Sequence, residues 1–503
     1  MVTEQRTVYN TIINAIANKR GGLYFLDAPG ETGKTFLISL LLASIRSKNQ
    51  FVLAIASSGI AATLLDGSRT AHSALKLPLN RHVTETPTCN ISRNSGMGKI
   101  LKNCKLIIWD ECTRSHEKAL EALDRTLQDL RENSVPFGDA LILLSGDFRQ
   151  TLPVIPRSTP ADELNAYLKS SVLWKKVKIL SLKTNTRVQL QRDTSAEIFA
   201  QQLLDIENGT MVIDRSNQLI VLPPNFCTIT STKEKLITKV FPNIVLIYKN
   251  HKWLSEHTIL AAKNNDVNTI NYNILQEIPG VSTSYKSIDT VMNQDEIVNY
   301  PTEFLNSLDL PGMPPHDLTL KVGVPIILLG NINPPQLCNG TRLSVKKLMK
   351  NIIETTILNG KSKGTDVLLP RIPMIPTDMP FEFKRLQFPV LLAFAMTTNT
   401  AQGQPLQVCG LELEIPCFSH GQLYVACSRV DDHHFYVSQK AEKTKNYNTI
   451  PDKKFKNYLI YTTQKSEKKF FSKKKFNNLK MKHKFLTLLT THKSFKTSRT
   501  TSR

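Results

Sequence analysis

The sequence predicts an α/β protein with two parallel-sheet domains, a small β-rich insertion in the second, and a basic disordered C-terminal tail. Three observations carry that expectation. Over the first 190 residues, short apolar runs alternate with helical patterns. A second α/β region extends from about Thr228 to Val437. Residues 451–503 hold 16 of the 64 Lys+Arg and only two of the 42 Asp+Glu, so they carry +14 of the +22 net charge.

In chain order, Leu23–Leu26, Phe51–Ala56, Leu106–Trp109 and Leu141–Leu144 are apolar runs without polar alternation. Strands buried on both faces read this way. Phe36, Leu37, Leu40, Leu41 and Ile45 recur at helical spacing after the first run, and strands separated by helices imply βαβ units. The polar stretch Thr86–Gly98 predicts a surface loop. These elements place a first domain at 1–180 and a connecting segment at 181–227, turn-rich over Asn208–Asn225. The second domain follows at 228–440, with strands at Thr258–Ala262, Val390–Met396 and Phe435–Val437. Its β-rich insertion, about 321–371, is marked by Val324–Leu329, Val367–Leu369 and the turn pairs Asn339–Gly340 and Asn359–Gly360. The tail, 441–503, is Lys/Phe/Thr-rich without a sustained period.

Composition excludes several classes. At 503 residues the chain is too long for one ordinary core. The longest mostly apolar run, Phe36–Ile45, is too short to span a membrane, and Met1–Arg20 lacks the apolar stretch of a signal peptide. The eight cysteines form no C-x-x-C pair, which argues against a zinc knuckle and for reduced thiols in an intracellular protein. His433–His434 reads as a turn pair, because no further ligand lies at metal spacing.

Three polar groups follow three of the apolar runs. The first is Ala28-Pro-Gly30-Glu-Thr32-Gly33-Lys34-Thr35, between a predicted strand and helix. Such a loop aims backbone N–H groups and a helix N-terminus at phosphates. Lys34 would neutralise the β- and γ-phosphates, and the Thr35 hydroxyl would hold Mg²⁺. Ala28 stands where the phosphate-loop pattern has its first glycine. The second is Asp110-Glu111 after Leu106–Trp109: Asp110 for the magnesium shell, Glu111 to polarise a water. By itself an acidic pair at a strand end is a solvated turn; after a phosphate loop it completes an NTPase site. The third is Gly146-Asp147-Phe148-Arg149-Gln150, in which Gln150 is a candidate γ-phosphate sensor. Ligands of parallel sheets bind beyond the carboxyl ends of the strands, so all three fit one cleft.

With these and further motifs in order, residues Val2 to Val437 resemble a superfamily-one DNA helicase of the petite-integration-frequency (Pif-one) family, most similar to its Helitron-transposon branch. Thr3-Glu-Gln5-Arg6-Thr-Val-Tyr9 resembles the motif whose glutamine reads adenine. Ala56-Ser57-Ser58-Gly59-Ile60-Ala61-Ala62 and Thr70-Ala-His72-Ser73 resemble DNA-contact motifs. Leu182-Lys-Thr-Asn185-Thr-Arg187 resembles the motif whose arginine reaches the γ-phosphate. Ala395-Met-Thr397 with Ala401-Gln402-Gly403-Gln404, and Leu423-Tyr-Val-Ala-Cys-Ser428-Arg429-Val430, resemble the last two motifs. Gly340 within Leu337–Arg342 resembles the small barrel of the second motor domain. Gly-Asp-Phe-Arg-Gln-Thr-Leu-Pro and Tyr-Val-Ala-Cys-Ser-Arg-Val carry most of the specificity.

The resemblance implies two RecA-like motor domains and an ATP-dependent 5′-to-3′ DNA helicase acting on single-stranded and forked DNA. ATP and Mg²⁺ would bind at Gln5, Gly30, Thr32, Gly33, Lys34, Thr35, Asp110 and Gly403. Glu111, Asp110, Gln150, Arg187 and Arg429 would serve hydrolysis. Ser57, Ser58, Gly59, His72, Thr397 and Gln402 would contact DNA. The DNA substrate and the Lys-rich tail point to the nucleus, and repair, recombination, telomere maintenance and transposition are all compatible. Four positions depart from the pattern. Glu31 stands where glycine is usual, and Gly330, Leu391 and Thr400 stand where basic residues are usual. Two rival readings stay open: a generic P-loop ATPase, and a catalytically weak, transposon-derived DNA-binding remnant.

Overall fold

In the computed structural model the described residues are 1–438, except 79–85, 154, 156–159, 187–193, 209, 212, 215–218, 221, 224–225, 294, 296, 377–378, 416, 418, 420 and 431–434. The expected tail at 441–503, Arg187 and the His433–His434 pair lie outside the described residues.

The first lobe begins with helix α1 (Thr3–Ala17), strand β1 (Gly22–Asp27) and helix α2 (Lys34–Arg46). Strands β2 (Val52–Ala56), β3 (Arg69–Thr70), β4 (Leu106–Asp110), β5 (Leu141–Gly146) and β6 (Val177–Ser181) complete a sheet of order β3-β2-β4-β5-β1-β6. Every pairing in it is parallel. The expected end of this domain at 180 therefore falls inside β6.

Side chains alternate across the sheet, and both faces are covered. Leu23, Phe25, Ile107, Trp109, Ile142 and Leu144 pack into one core. Tyr24, Leu26, Leu106, Ile108, Leu141 and Leu143 pack into the core on the other face. This is why the runs show no polar alternation: each residue has an apolar side to enter, worth roughly 1.5–3 kcal/mol per large aliphatic side chain.

Register then gathers the motifs. Asp27 pairs with Gly146, and Ala56 pairs with Asp110. The phosphate loop, the acidic pair, the Gly146–Gln150 turn and Ser57 consequently emerge at the same, carboxyl-terminal edge of the sheet.

Thr86–Gly98 is not all surface loop. Cys89 is buried, its backbone N–H donating to Thr126 Oγ1 at 2.9 Å, and a helix starts at Gly96.

A short antiparallel hairpin, β7 (Ile213–Asp214) and β8 (Leu219–Ile220), precedes the second lobe. That lobe contains β9 (Thr228–Thr230) and β10 (His257–Ala261), with helix Asn264–Glu277 after β10. Then come the antiparallel strands: β11 (Thr283–Lys286), β12 (Ile288–Val291), β13 (Asp317–Leu320), β14 (Pro325–Leu328), β15 (Arg342–Leu348), β16 (Ile352–Ile357), β17 (Asp366–Pro370), β18 (Ile372–Met374), β19 (Phe383–Gln387) and β20 (Val390–Leu392). They form sheets β11-β13, β12-β19-β18 and β17-β16-β15-β14-β20. Strands β21 (Ala395–Thr397), β22 (Val408–Glu412) and β23 (Phe435–Ser438) return to a parallel sheet of order β21-β10-β22-β23-β9.

Two expectations change here. The antiparallel region spans Thr283–Leu392, well beyond 321–371 on both sides. The single strand expected at Val390–Met396 is two strands in two sheets. Val390–Leu392 pairs antiparallel with β14, and Ala395–Thr397 pairs parallel with β10. The change of partner occurs at Ala393–Phe394, where Ala393 N–H donates to Pro325 O and Phe394 O accepts from Ile259 N–H.

The antiparallel region is held by buried cations. Arg385 and Asp289 are both fully buried and meet at 2.7 Å, and Arg385 also donates to the carbonyls of Leu305, Leu308 and Pro314. Arg342, also buried, donates to the carbonyls of Leu254, Ser255, His257 and Ala393, fastening β15 to the start of β10.

Candidate nucleotide cleft and its seam between two lobes

Glycine is required where the phosphate loop turns into α2. Gly33 has φ +76°, and a Cβ there would lie 2.4 Å from Gln5 Nε2. Gln5 is buried beneath the loop. Its Nε2 donates to Thr32 O at 3.0 Å, and its Oε1 accepts from Val2 N–H at 3.1 Å. The carboxamide expected to read adenine is thus a brace for the loop backbone in this state. The Thr32 hydroxyl is turned inward onto Pro29 O. Gly30 is exposed, with nothing near its Cβ position. Glu31 has φ +64°, the left-handed region that disfavours a side chain. Its carboxylate accepts from Asn185 Nδ2 at 2.8 Å, and its carbonyl accepts from Thr186.

Lys34, at the first turn of α2, spans to the end of β4. Its Nζ lies 3.0 Å from Asp110 Oδ1 and 2.5 Å from Glu111 Oε1. Burial works against the Lys34 charge, but the two carboxylates outweigh it and hold the ammonium well above its usual range. Burial likewise raises Glu111, and the Lys34 ammonium more than reverses that, keeping the carboxylate ionised with help from Arg114 and Arg429. Asp110 is further oriented by Ser145, whose Oγ donates to Oδ1 at 2.7 Å. A loop of N–H groups, the Lys34 ammonium, a hydroxyl at Thr35 and a buried carboxylate at Asp110 form a donor set that suits a triphosphate with a divalent cation.

The second lobe closes the far side. Gln402 Nε2 donates to Gln150 Oε1 and, at 3.4 Å, to Glu111 Oε2, while Gln402 Oε1 accepts from Thr151 Oγ1 at 2.9 Å. Tyr424 donates its hydroxyl to Asp147 Oδ2 at 3.0 Å. Asp147 is fully buried and also takes Arg149 Nη1 at 2.8 Å. Arg429 donates through Nε to Val425 O and through Nη2 to Ser428 Oγ, both at 2.9 Å, and its charge reaches Glu111.

The expected DNA contacts divide. Ser57 Oγ accepts from Trp109 Nε1 and pairs with Ser115 Oγ. Ser58 caps helix Gly59–Leu64 by accepting from Ala61 N–H. Gly59 backs onto the second lobe so closely that a Cβ would come 2.7 Å from Asn339 O. His72 is exposed on helix Ala71–Leu75. Thr397 lines a cavity of about 590 Å³ together with Asn264, Asn268, Tyr272, Leu391 and Thr400. Two of the positions that lack the usual basic residue therefore share one cavity wall.

Two placements differ from expectation. Gln402 is 3% exposed, and its amide points into the nucleotide cleft. Gly403, expected at the nucleotide, instead packs near Ile60 in a separate cavity of about 370 Å³ that Thr63, Leu64 and Asn359 also line.

Comparison with known proteins agrees with this architecture. Residues 1–217 match the family model described as PIF1-like helicase, and residues 303–348 match that of the DNA helicase Pif1 2B domain. By these two matches the chain resembles PIF1-like helicases. It is 24% identical over 462 residues to the ATP-dependent DNA helicase Pif1 of a Psychrobacter species, covering 82% of this chain and 65% of the relative. It is 24% identical over 432 residues to the Xenopus laevis ATP-dependent DNA helicase PIF1, covering 85% and 59%. The chain thus spans about three fifths of the length of these curated relatives. The fold is that of solved Pif1 helicases. The Candida albicans enzyme superposes with a TM-score of 0.63 at 22% identity, over 92% of this chain and 99% of that one. A Bacteroides Pif1 in complex with ADP-AlF3 and single-stranded DNA gives 0.62 at 22%, over 91% and 97%. Within this PIF1-like frame, the 303–348 match falls inside the antiparallel region.

Sequence reasoning passed over Ser145, Thr151 and Tyr424, which hold Asp110, Gln402 and Asp147. Thr151 and Tyr424 lie inside quoted motifs, so position in a motif was an available signal. Ser145 ends an apolar strand, and a hydroxyl at the end of a buried run was the only cue. Among the described residues, no helix is long and apolar enough to cross a membrane, and all eight cysteines are free.

Proposed function

We propose that this chain is an ATP-dependent DNA helicase that couples hydrolysis to 5′-to-3′ movement on single-stranded DNA and to unwinding of forks. The observation that carries the reading is Lys34 held between Asp110 and Glu111 at the carboxyl edge of one parallel sheet, with Gln402 and Tyr424 of a second parallel-sheet lobe docked on the adjoining turn.

The chemistry follows from these side chains. Lys34 turns from the carboxylates to the β- and γ-phosphates of ATP. Asp110 and Thr35 would hold Mg²⁺, which supplies charge neutralisation on the phosphates when bound. Glu111, ionised, accepts a proton from the attacking water. Arg429, with Arg187 from the connecting segment, offsets charge that develops on the transferred phosphoryl group. Closure and reopening of the lobes shift the strand past Ser57–Gly59, His72 and Thr397. Binding through phosphates makes the grip salt-dependent and largely sequence-independent. The cellular setting we propose is the nucleus, in repair, recombination, telomere maintenance or transposition.

A second reading, a weak DNA-binding remnant, is favoured by Glu31 at φ +64° and by Leu391 and Thr400 in the Thr397 cavity. Steady-state ATPase with and without single-stranded DNA, run beside unwinding of forks tailed on the 5′ or the 3′ strand, decides. DNA-stimulated turnover with unwinding of the 5′-tailed fork supports the helicase. DNA binding without turnover supports the remnant, and turnover indifferent to DNA supports a generic ATPase.

A further inference from the structure

We infer that Gln402 is a positioning residue for hydrolysis, contributed by the second lobe to Glu111 and Gln150 of the first; this rests on reading the chain as an ATPase. Its carboxamide is buried in the seam, and all three of its side-chain partners belong to the first lobe. Thr151 donates to its oxygen at 2.9 Å, which orients the amide. The nitrogen is then left facing Gln150 Oε1 and Glu111 Oε2, and its two hydrogens serve those two acceptors.

This arrangement divides the Glu111 carboxylate between lobes. Oε1 is held by Lys34, from the same lobe, and Oε2 by Gln402, from the other. A phosphate that draws Lys34 away leaves Gln402 as the donor holding Glu111. The same amide fixes which way Gln150 points. Both groups therefore keep their geometry only while the lobes stay docked.

Gln402 also follows directly on helix Thr398–Ala401, and that helix follows Thr397 in the wall of the 590 Å³ cavity. A ligand that shifts Thr397 and Thr400 displaces the amide a few residues later. The 3.4 Å contact to Glu111 is the longest of the three and would be lost first. Hydrolysis geometry is thereby tied to the position of a segment on the other lobe, through one side chain.

The test uses the full chain with Gln402→Ala and with Gln402→Glu, which keeps the size but replaces the donor by an acceptor. ATP turnover is measured with and without an oligo-dT strand, and oligo-dT affinity is measured by fluorescence anisotropy. We expect both variants to lose about tenfold or more in kcat at saturating DNA, as loss of hydrogen bonds to a charged group implies. KM for ATP and oligo-dT affinity stay within about twofold. Thr151→Val, which frees the amide to turn over, shows a smaller loss of the same kind. Weakened oligo-dT binding with unchanged kcat at saturating DNA would overturn the proposal and make Gln402 a DNA contact. Unchanged values throughout would overturn it as well. A parent chain without turnover defeats the ATPase reading instead. The role of Gln402 is then read from binding of ADP–aluminium fluoride relative to ADP, which the variants weaken selectively if Gln402 positions Glu111 and leave unchanged if it does not.

Discussion

Tyr424 and Asp147, 277 residues apart, share a 3.0 Å hydrogen bond across the two lobes. Asp147 is fully buried, and its other oxygen is taken by Arg149. Removing the tyrosine hydroxyl leaves one buried carboxylate oxygen short of a donor, at a cost of about 1–3 kcal/mol. Tyr424→Phe is expected to lower the urea midpoint of unfolding and to reduce DNA-stimulated ATP turnover several-fold, with ADP affinity unchanged. Equal midpoints for parent and variant would show that the bond adds nothing to lobe docking.

Lys34 stands between Asp110 and Glu111, and its ammonium reverses the rise that burial gives the Glu111 carboxyl. Lys34→Ala is expected to abolish turnover and to leave Asp110 and Glu111 facing each other without their cation. Breaking a buried pair this way costs up to about 3–5 kcal/mol. Added Mg²⁺ should recover part of the melting temperature in Lys34→Ala and much less in the parent. A variant that melts with the parent, with and without Mg²⁺, would show that the ion pairs carry no stability. DNA affinity is expected to survive, because Lys34 lies in the nucleotide cleft.

The parallel sheets were legible in the sequence because strands buried on both faces leave an uninterrupted apolar run. Phe25 and Leu26 enter different cores, yet both must be apolar. The change of sheet at Ala393–Phe394 was not legible for the same reason: Val390–Met396 is apolar throughout, and nothing in it marks a change of partner. The motifs located the cleft, since they sit at strand ends and register aligns strand ends. They did not say which way a side chain points. Gln402 was itself an expected DNA contact but turns into the cleft, and Gln5, expected to read adenine, turns under the phosphate loop.

Glu31 combines a strained backbone with a compensating contact. The left-handed conformation costs about 1–2 kcal/mol for a residue with a side chain. Glycine would remove that strain, but it loses the hydrogen bond from Asn185, worth about 1 kcal/mol, and adds roughly 0.5–1 kcal/mol of chain entropy to the unfolded state. The terms nearly cancel, so Glu31→Gly should melt within a few degrees of the parent. The charge term does not cancel. A carboxylate beside the phosphates is removed, so ADP and ATP should bind several-fold more tightly by calorimetry, and more so at low salt. Weaker binding would mean that the Asn185 contact holds the loop in its binding shape.

Arg429 acts on Glu111 through space and is anchored by Val425 O and Ser428 Oγ. A cation placed for charge that appears during hydrolysis shows itself in kcat. Arg429→Ala is expected to lower kcat by about tenfold to a thousandfold, the range for loss of one donor to developing charge, while KM for ATP changes little. An equal loss in ATP affinity would make Arg429 a ground-state contact.

Glu412 supplies the clearest pH signature. It ends β22 with its side chain buried; Lys233 Nζ lies 3.7 Å from it, and Asp266 and Glu414 surround the same ammonium at 3.6 and 3.4 Å. Burial pushes the Glu412 carboxyl up to about 7, opposed by Lys233 and by the Glu414 backbone N–H, with Asp266 and Glu414 adding to the rise. An acid whose folded pKa exceeds its unfolded one binds more protons when folded. Stability from this group is therefore greatest below about pH 4.5 and is lost as pH rises through about 7. Glu412→Gln removes that slope. The expected result is a variant more stable than the parent at pH 8, with the advantage shrinking steadily toward pH 5, read from thermal melts across the range. A gap that stays constant with pH would show that Glu412 titrates alike in the folded and unfolded chain, and a gap that grows toward pH 5 would mean that Lys233 holds it ionised.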